Sequence, residues 1–237
     1  MNAVLKKELH TYFSTPVGYI FMAAVMLLSG LAFRDIFAMG LPEISYVFGS
    51  MFMFYMLLIP ILTMKLMSDE RRLKTDQILL TAPVGLPGIV MGKFFAAFAV
   101  FALSLSINLV YATVMAVFSA PDWMVFAGNM LGALLLGAAV IAIGLFVSSL
   151  TESQLSAAVI TLAVSSSLLL LDVFADYNTS TAFGRFINKI IGWISMQSRY
   201  NAFTQGIIDY SNIVFFIGVA AIFIFLTVRV LESKRWS

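Results

Sequence analysis

Six uninterrupted apolar runs, each about the 20 residues needed to cross a bilayer, dominate this 237-residue chain. They cover Val17–Phe33, Ile44–Met64, Ile89–Phe118, Met124–Leu150, Leu155–Val173 and Ile213–Leu231. In hydrocarbon a lone strand would leave its backbone unsatisfied, so runs of this length predict helices. Composition agrees: 61% of the residues are hydrophobic and 11% charged, against about 25% charged in a soluble domain. The predicted fold is an all-α integral membrane protein with six transmembrane helices in one domain over residues 1–237. The first run has no small-residue cleavage site after it and does not read as a secretory signal.

Lys and Arg distribute unequally between the two sides. Lys6, Lys7, Lys65, Arg71, Arg72, Lys74, Lys93, Arg229, Lys234 and Arg235 fall on one side, and Arg34, Arg185, Lys189 and Arg199 on the other. The positive-inside rule then predicts a multi-pass cell-membrane (inner-membrane) protein with both termini in the cytoplasm.

The connections differ in kind. Ser119-Ala-Pro-Asp122 and Thr151-Glu-Ser153 are short enough to make spans three, four and five antiparallel neighbours. The outer segment 174–212 is longer than a turn needs. In it Phe183, Phe186, Ile187, Ile190, Ile191 and Ile194 recur at helical spacing, which fits either an interfacial amphipathic helix or an ordinary packed loop helix. Residues 1–15 are also amphipathic: Val4, Leu5, Leu9, Tyr12 and Phe13 share a face, and Ser14-Thr-Pro16 ends the segment at an elbow.

Catalytic chemistry finds little to work with. There is no cysteine and one histidine, His10, among cationic neighbours. The run "GLPGIVMGKF" ends in Gly-Lys, but Pro87 stands where a phosphate loop needs its first Gly and Phe94 where it needs a hydroxyl. Lys93 reads instead as a side chain snorkelling at the inner interface. Formal charge of +2 gives no reason to expect nucleic acid as a partner. The spans lack the ionisable groups of a proton or sodium relay away from their ends. Ser104, Ser106, Asn108, Tyr111 and Thr113 in the third span, and Thr161 and Ser165–Ser167 in the fifth, suit interhelical hydrogen bonds, the alternative being a substrate path through Ser104, Asn108 and Tyr111. Gly128, Gly132, Gly137 and Gly144 fit close helix packing, and Met51, Met53 and Met56 ordinary membrane packing rather than a thioether metal path.

Between spans two and three lies "MKLMSDERRLKTDQILLTAP". Leu66, Leu73 and Leu80 repeat every seven residues and predict one apolar edge; Asp69, Glu70, Arg71, Arg72, Lys74 and Asp76 occupy the rest. Topology alone needs no acidic residues, so the mixed charge predicts docking to another protein.

Three motifs carry a family resemblance. "KKELHTYFSTPVGYIF" resembles the Lys-Glu-Leu…Tyr-Phe…Ser/Thr-Pro…Tyr opening of ABC-2 type (type-2 exporter) permeases. "DERRLKTDQILLTAPVGLPGIVMGKF" is similar to their Glu-Arg-Arg…Gly-Thr…Glu-Leu-Leu…Ala-Pro…Gly-Lys segment. "SRYNAFTQGIIDYSNIVFF" resembles the signature of the gliding-motility branch, whose relatives include the permease of nitrous-oxide reductase maturation. The resemblance implies two permease copies working with a separate cytoplasmic ABC ATPase that binds ATP and Mg, with no cofactor in this chain. It implies a connecting helix at Val4–Phe13 and a coupling helix within 67–81, where Asp69, Glu70, Arg71, Arg72, Lys74, Thr75, Asp76 and Gln77 would meet the ATPase. It also implies short outer helices at Thr181–Ser195, on a side where an extracytoplasmic accessory protein could join. Lys74 stands where the family often has Gly, and Gln77 where it often has Glu. The expected activity is export by alternating access; the alternative is a membrane scaffold or mechanotransmission subunit acting on an envelope partner.

Overall fold

The computed structural model describes residues 1–40, 43–74, 85–118, 122–177 and 191–235, which are mostly helical, with no strand among them. The turn at 119–121, the repeat from Phe183 to Ile190, and Thr75, Asp76 and Gln77 lie outside the described residues. The helices are α1 (Asn2–Ser14), α2 (Pro16–Met39), α3 (Ser45–Thr63), α4 (Ser68–Arg72), α5 (Leu86–Leu105), α6 (Ile107–Phe118), α7 (Trp123–Leu150), α8 (Gln154–Tyr177), α9 (Met196–Thr204) and α10 (Tyr210–Arg235). Five stretches are long and apolar enough to cross a membrane: Pro16–Ala38, Ser45–Arg72, Leu86–Phe118, Trp123–Leu150 and Tyr210–Ser233. The remaining expected span falls on α8, whose apolar part Gln154–Leu170 is shorter.

The elbow between α1 and α2 follows from its residues. Thr15 is extended and Pro16 opens α2, the position where a missing N–H costs nothing. Gly18 then lies under the end of α1, where a Cβ would stand 2.6 Å from the Tyr12 carbonyl oxygen.

The core runs along α3 and α7. In α3, Phe48, Met51, Phe52, Tyr55, Ile59 and Leu62 form a buried stripe at helical spacing. The glycines of α7 act as the sequence predicts: Gly132 lies under Phe203, Gly137 under Phe101 and Gly144 under Thr63, with no room for a Cβ at any of them. Small residues let helices approach until van der Waals contact replaces the missing hydrophobic drive in lipid.

The third apolar run is not one helix. It breaks at Ser106, where the Ser106 N–H reaches back only three residues to Leu103 O, at 3.2 Å. The Ser104 and Ser106 hydroxyls donate to Phe101 O and Leu103 O, both at 2.7 Å, and such back-bonding bends helices.

At the opposite end from α4, α9 closes the bundle. Ser195 caps it by accepting from Ser198 N at 3.0 Å. It ends in a Schellman turn, with Gly206 at φ 77° and the Ile207 N–H bonded to Ala202 O at 2.9 Å. Its Met196, Tyr200 and Phe203 are buried. The Tyr200 hydroxyl donates to Phe48 O at 2.9 Å and its ring stacks on Phe52.

Candidate functional site

The site is built where α3 stops. After Thr63 the chain turns through Met64–Met67 before α4 begins, and a helix end leaves carbonyls and amides without intrahelical partners. Side chains from three other helices satisfy them. The Tyr12 hydroxyl of α1 donates to Leu62 O at 2.8 Å. Ser148 of α7 accepts from Met67 N and Ser68 N at 3.0 and 3.1 Å and donates to Met64 O at 3.2 Å. Lys93 of α5 donates to Leu66 O at 2.6 Å.

Lys93 is the centre of the arrangement. Its side chain is 1% exposed, and its ammonium also meets Glu8 Oε1 at 2.8 Å and Glu70 Oε2 at 3.0 Å. Three acceptors therefore match its three N–H donors. Lys7 holds the other oxygen of Glu70 at 2.9 Å. Two lysines and two glutamates thus join α1, α4 and α5 in a neutral cluster. Burial disfavours the Lys7 charge, but the hydrogen bond and charge of Glu70 outweigh it and raise its pKa. Burial and the Glu8 charge hold the Tyr12 phenol well above its ordinary range, so it remains a neutral donor. Close backbone packing brings α1 there: at Gly92 a Cβ would meet Val4 at 3.0 Å.

The remaining side chains from Asp69 to Lys74 divide into two groups. Arg71 donates to Ser149 O at 3.2 Å and pairs with Glu152 at 3.3 Å, while Asp69 is bonded by Gln154 and faces Arg72 at 3.5 Å. Glu70, Arg71 and Asp69 are thus engaged within the chain. Arg72, Leu73 and Lys74 face outward, with the Arg72 side chain 61% exposed and Leu73 64% exposed. Of the predicted apolar edge, Leu66 is buried in the turn and Leu73 points away, while Leu80 lies outside the described residues. The heptad assumed one helix, and the turn interrupts it. Lys93 does not snorkel either: it is enclosed by carboxylates from residues distant in sequence.

Lys74 has φ 54°, the one positive value at a non-glycine residue among those described. That conformation costs an L-residue roughly 1–2 kcal/mol, which explains why glycine suits the position. Lys74→Gly is expected to raise stability by about 0.5–1 kcal/mol once the greater unfolded-state freedom of glycine is counted. Thermal unfolding of the purified protein reads the change.

The observation that settles the family is the match of a model described as ABC-2 family transporter protein to residues 8–236. The chain belongs to the ABC-2 transporter family. No curated protein matches it. An ABC-2 permease is the non-catalytic membrane component of an ABC transporter, and membership implies an ABC ATPase subunit as partner. Among the described residues of this permease, no group of three or more His, Asp or Glu side chains could hold a metal ion.

Ser104 and Asn108 differ from Tyr111 in their surroundings in the permease fold. Ser104 and Asn108 are fully buried within the chain, Asn108 beside Tyr55. Tyr111 faces α2, donating to Met26 O at 3.2 Å and stacking on Phe33 at 4.5 Å. Sequence reasoning missed the roles of Ser148, Gln154 and Lys93. For Lys93 a signal existed: it shares a helical face with Ile89, Ala96, Ala97 and Val100, all buried, and not with the exposed Phe95 and Leu103.

Proposed function

We propose that this permease is the transmembrane subunit of an ATP-driven exporter, two copies working with two copies of a separate cytoplasmic ABC ATPase by alternating access. The reading takes α8 as the sixth span, α1 as the connecting helix and α4 as the start of the coupling segment. The Lys/Arg excess puts their end of the bundle, and both termini, in the cytoplasm at the inner membrane. One observation carries the reading: the exposed tip Arg72–Lys74 is tied to α5 through Glu70 and Lys93, to α7 through Ser148, and to α3 through the chain itself. A push on that tip by an ATPase closing on ATP and Mg reaches three membrane helices through short polar contacts. Pro60 in α3 and the break at Ser106 are places where those helices can bend. The gliding-motility-type branch remains our assignment on the sequence motifs.

Co-purification tests the reading. An ABC ATPase is expected to leave native membranes with the permease, and its absence under conditions that preserve complexes would contradict the assignment. Arg72→Glu removes the exposed pair with Asp69 at 3.5 Å and is expected to lower stability by about 0.5–1 kcal/mol, while weakening ATPase recovery and coupled ATP hydrolysis. A stable variant with full recovery and hydrolysis would remove Arg72 from the contact.

One observation favours the second reading, a mechanotransmission subunit acting on an envelope partner. Ser104 and Asn108 are enclosed by their own chain and so do not line a cavity between two copies in this conformation. Transport of a defined substrate by the reconstituted complex would exclude that reading.

A further inference from the structure

Between α5 and α10 the surface holds an apolar trough of about 770 Å³, within the range of roughly 300–1,000 Å³ for ligand sites. Large side chains such as Phe94, Phe98, Ile224 and Phe225 line it together with the small Ala138 and Ala221. Along α10 the lining runs from Ile217 to Glu232. At ~1.5 Å per residue this is about 22 Å of helix, enough for one leaflet of a hydrocarbon core about 30 Å thick.

The trough ends in charge at the α4 end of the bundle. Arg229 and Glu232 are the two charged residues among the described lining residues, paired at 2.8 Å and with side chains 63% and 39% exposed. The Arg229 guanidinium lies over the ring of Phe225 at 5.0 Å, which holds it at the mouth of the trough.

We propose that this trough is a resident site for one phospholipid of the phosphoethanolamine class. An acyl chain lies in the trough, the phosphate meets Arg229, and the primary ammonium meets Glu232. The rim selects the headgroup: an anionic headgroup would bring its charge against the Glu232 carboxylate, and a choline headgroup has no N–H to donate to it. A helix of a second copy fits less well, because it would cover a half-exposed ion pair without supplying counter-charges, and desolvating such a pair is costly. The proposal is independent of exporter action and of the ATPase.

Native mass spectrometry of the detergent-purified protein tests it, with dioleoyl phosphatidylethanolamine, phosphatidylcholine and phosphatidylglycerol added separately. Wild-type protein is expected to retain the ethanolamine lipid about tenfold better than the choline lipid, the worth of one charge-assisted hydrogen bond. Glu232→Gln is expected to abolish that preference, and Arg229→Gln to weaken retention of all three lipids. Ala221→Trp, which fills the trough, is expected to remove retained lipid; should that variant fail to fold, the two rim substitutions decide the matter. Equal retention of ethanolamine and choline lipids by wild type overturns the proposal. So does self-cross-linking of Ile224→Cys in this cysteine-free chain, which would assign the trough to a second copy.

Discussion

Replacing Lys93 by methionine is expected to lower the stability of the permease by about 3–5 kcal/mol, the cost of removing one partner from a buried ion cluster. Methionine nearly matches the volume, so the loss is electrostatic. Glu8 keeps its place with no cation at 2.8 Å, and Leu66 O loses its donor at the turn before α4. Glu70 retains Lys7, so Lys93→Met alone should strand Glu8 most. Adding Glu8→Gln to Lys93→Met should therefore recover part of the loss, with a coupling of about 0.5–3 kcal/mol for residues in contact. Thermal or denaturant unfolding in a fixed detergent reads both variants. Unfolding of Lys93→Met at the wild-type midpoint would show that the cluster does not hold α1, α4 and α5 together.

A second large effect is expected at Gly137. A Cβ there would stand 2.0 Å from Cε1 of Phe101, far inside contact distance. The ring has nowhere easy to go, because Tyr55 meets it edge-on at 5.4 Å and Phe21 lies at 6.3 Å. Gly137→Ala is expected to cost about 3 kcal/mol, at the upper end of ordinary overpacking. Phe101→Leu should restore part of that loss in the double variant, since it removes Cε1 and Cζ, at 2.0 and 2.7 Å from that Cβ, and leaves a branched Cδ pair free to turn aside. Gly49 supplies the control: nothing lies within 4 Å of a Cβ there, and alanine in a helix is better than glycine by about 0.5–1 kcal/mol. A Gly137→Ala protein as stable as wild type would contradict the packing of α7 on α5.

Five of the six expected spans match helices long and apolar enough to cross a membrane, and they were legible because their signal is local: apolar length in lipid requires helix, whatever the partners. Close packing at Gly132, Gly137 and Gly144 was legible for the same reason. The break in the third run was not, since Ser104, Ser106 and Asn108 look like mild polarity for helix contacts, and only the backbone shows that the helix yields at Ser106. The bounds of α9 were less legible: short outer helices are expected at Thr181–Ser195, whereas α9 begins at Met196, where Met196, Tyr200 and Phe203 carry a helical spacing. The ionic junction was least legible. Glu8, Glu70 and Lys93 come from three elements, and nothing local says that they converge. Read alone, a lysine near the start of an apolar run looks like an interface anchor, and a charged loop looks like one outward-facing docking surface. The fold instead turns Asp69, Glu70 and Arg71 inward and leaves Arg72, Leu73 and Lys74 outward.

On the proposed reading, this outward tip is where the ATPase grips the permease. Because the chain has no cysteine, a single thiol can be placed by Leu73→Cys and joined to neighbouring lysines with a short thiol-to-amine cross-linker in native membranes. The predicted result is a covalent product between the permease and its ABC ATPase, absent from a Leu131→Cys control whose residue lies about a third of the way along α7, on the α9 side. A Leu73→Cys protein that co-purifies with its ATPase yet never cross-links to it would contradict the account.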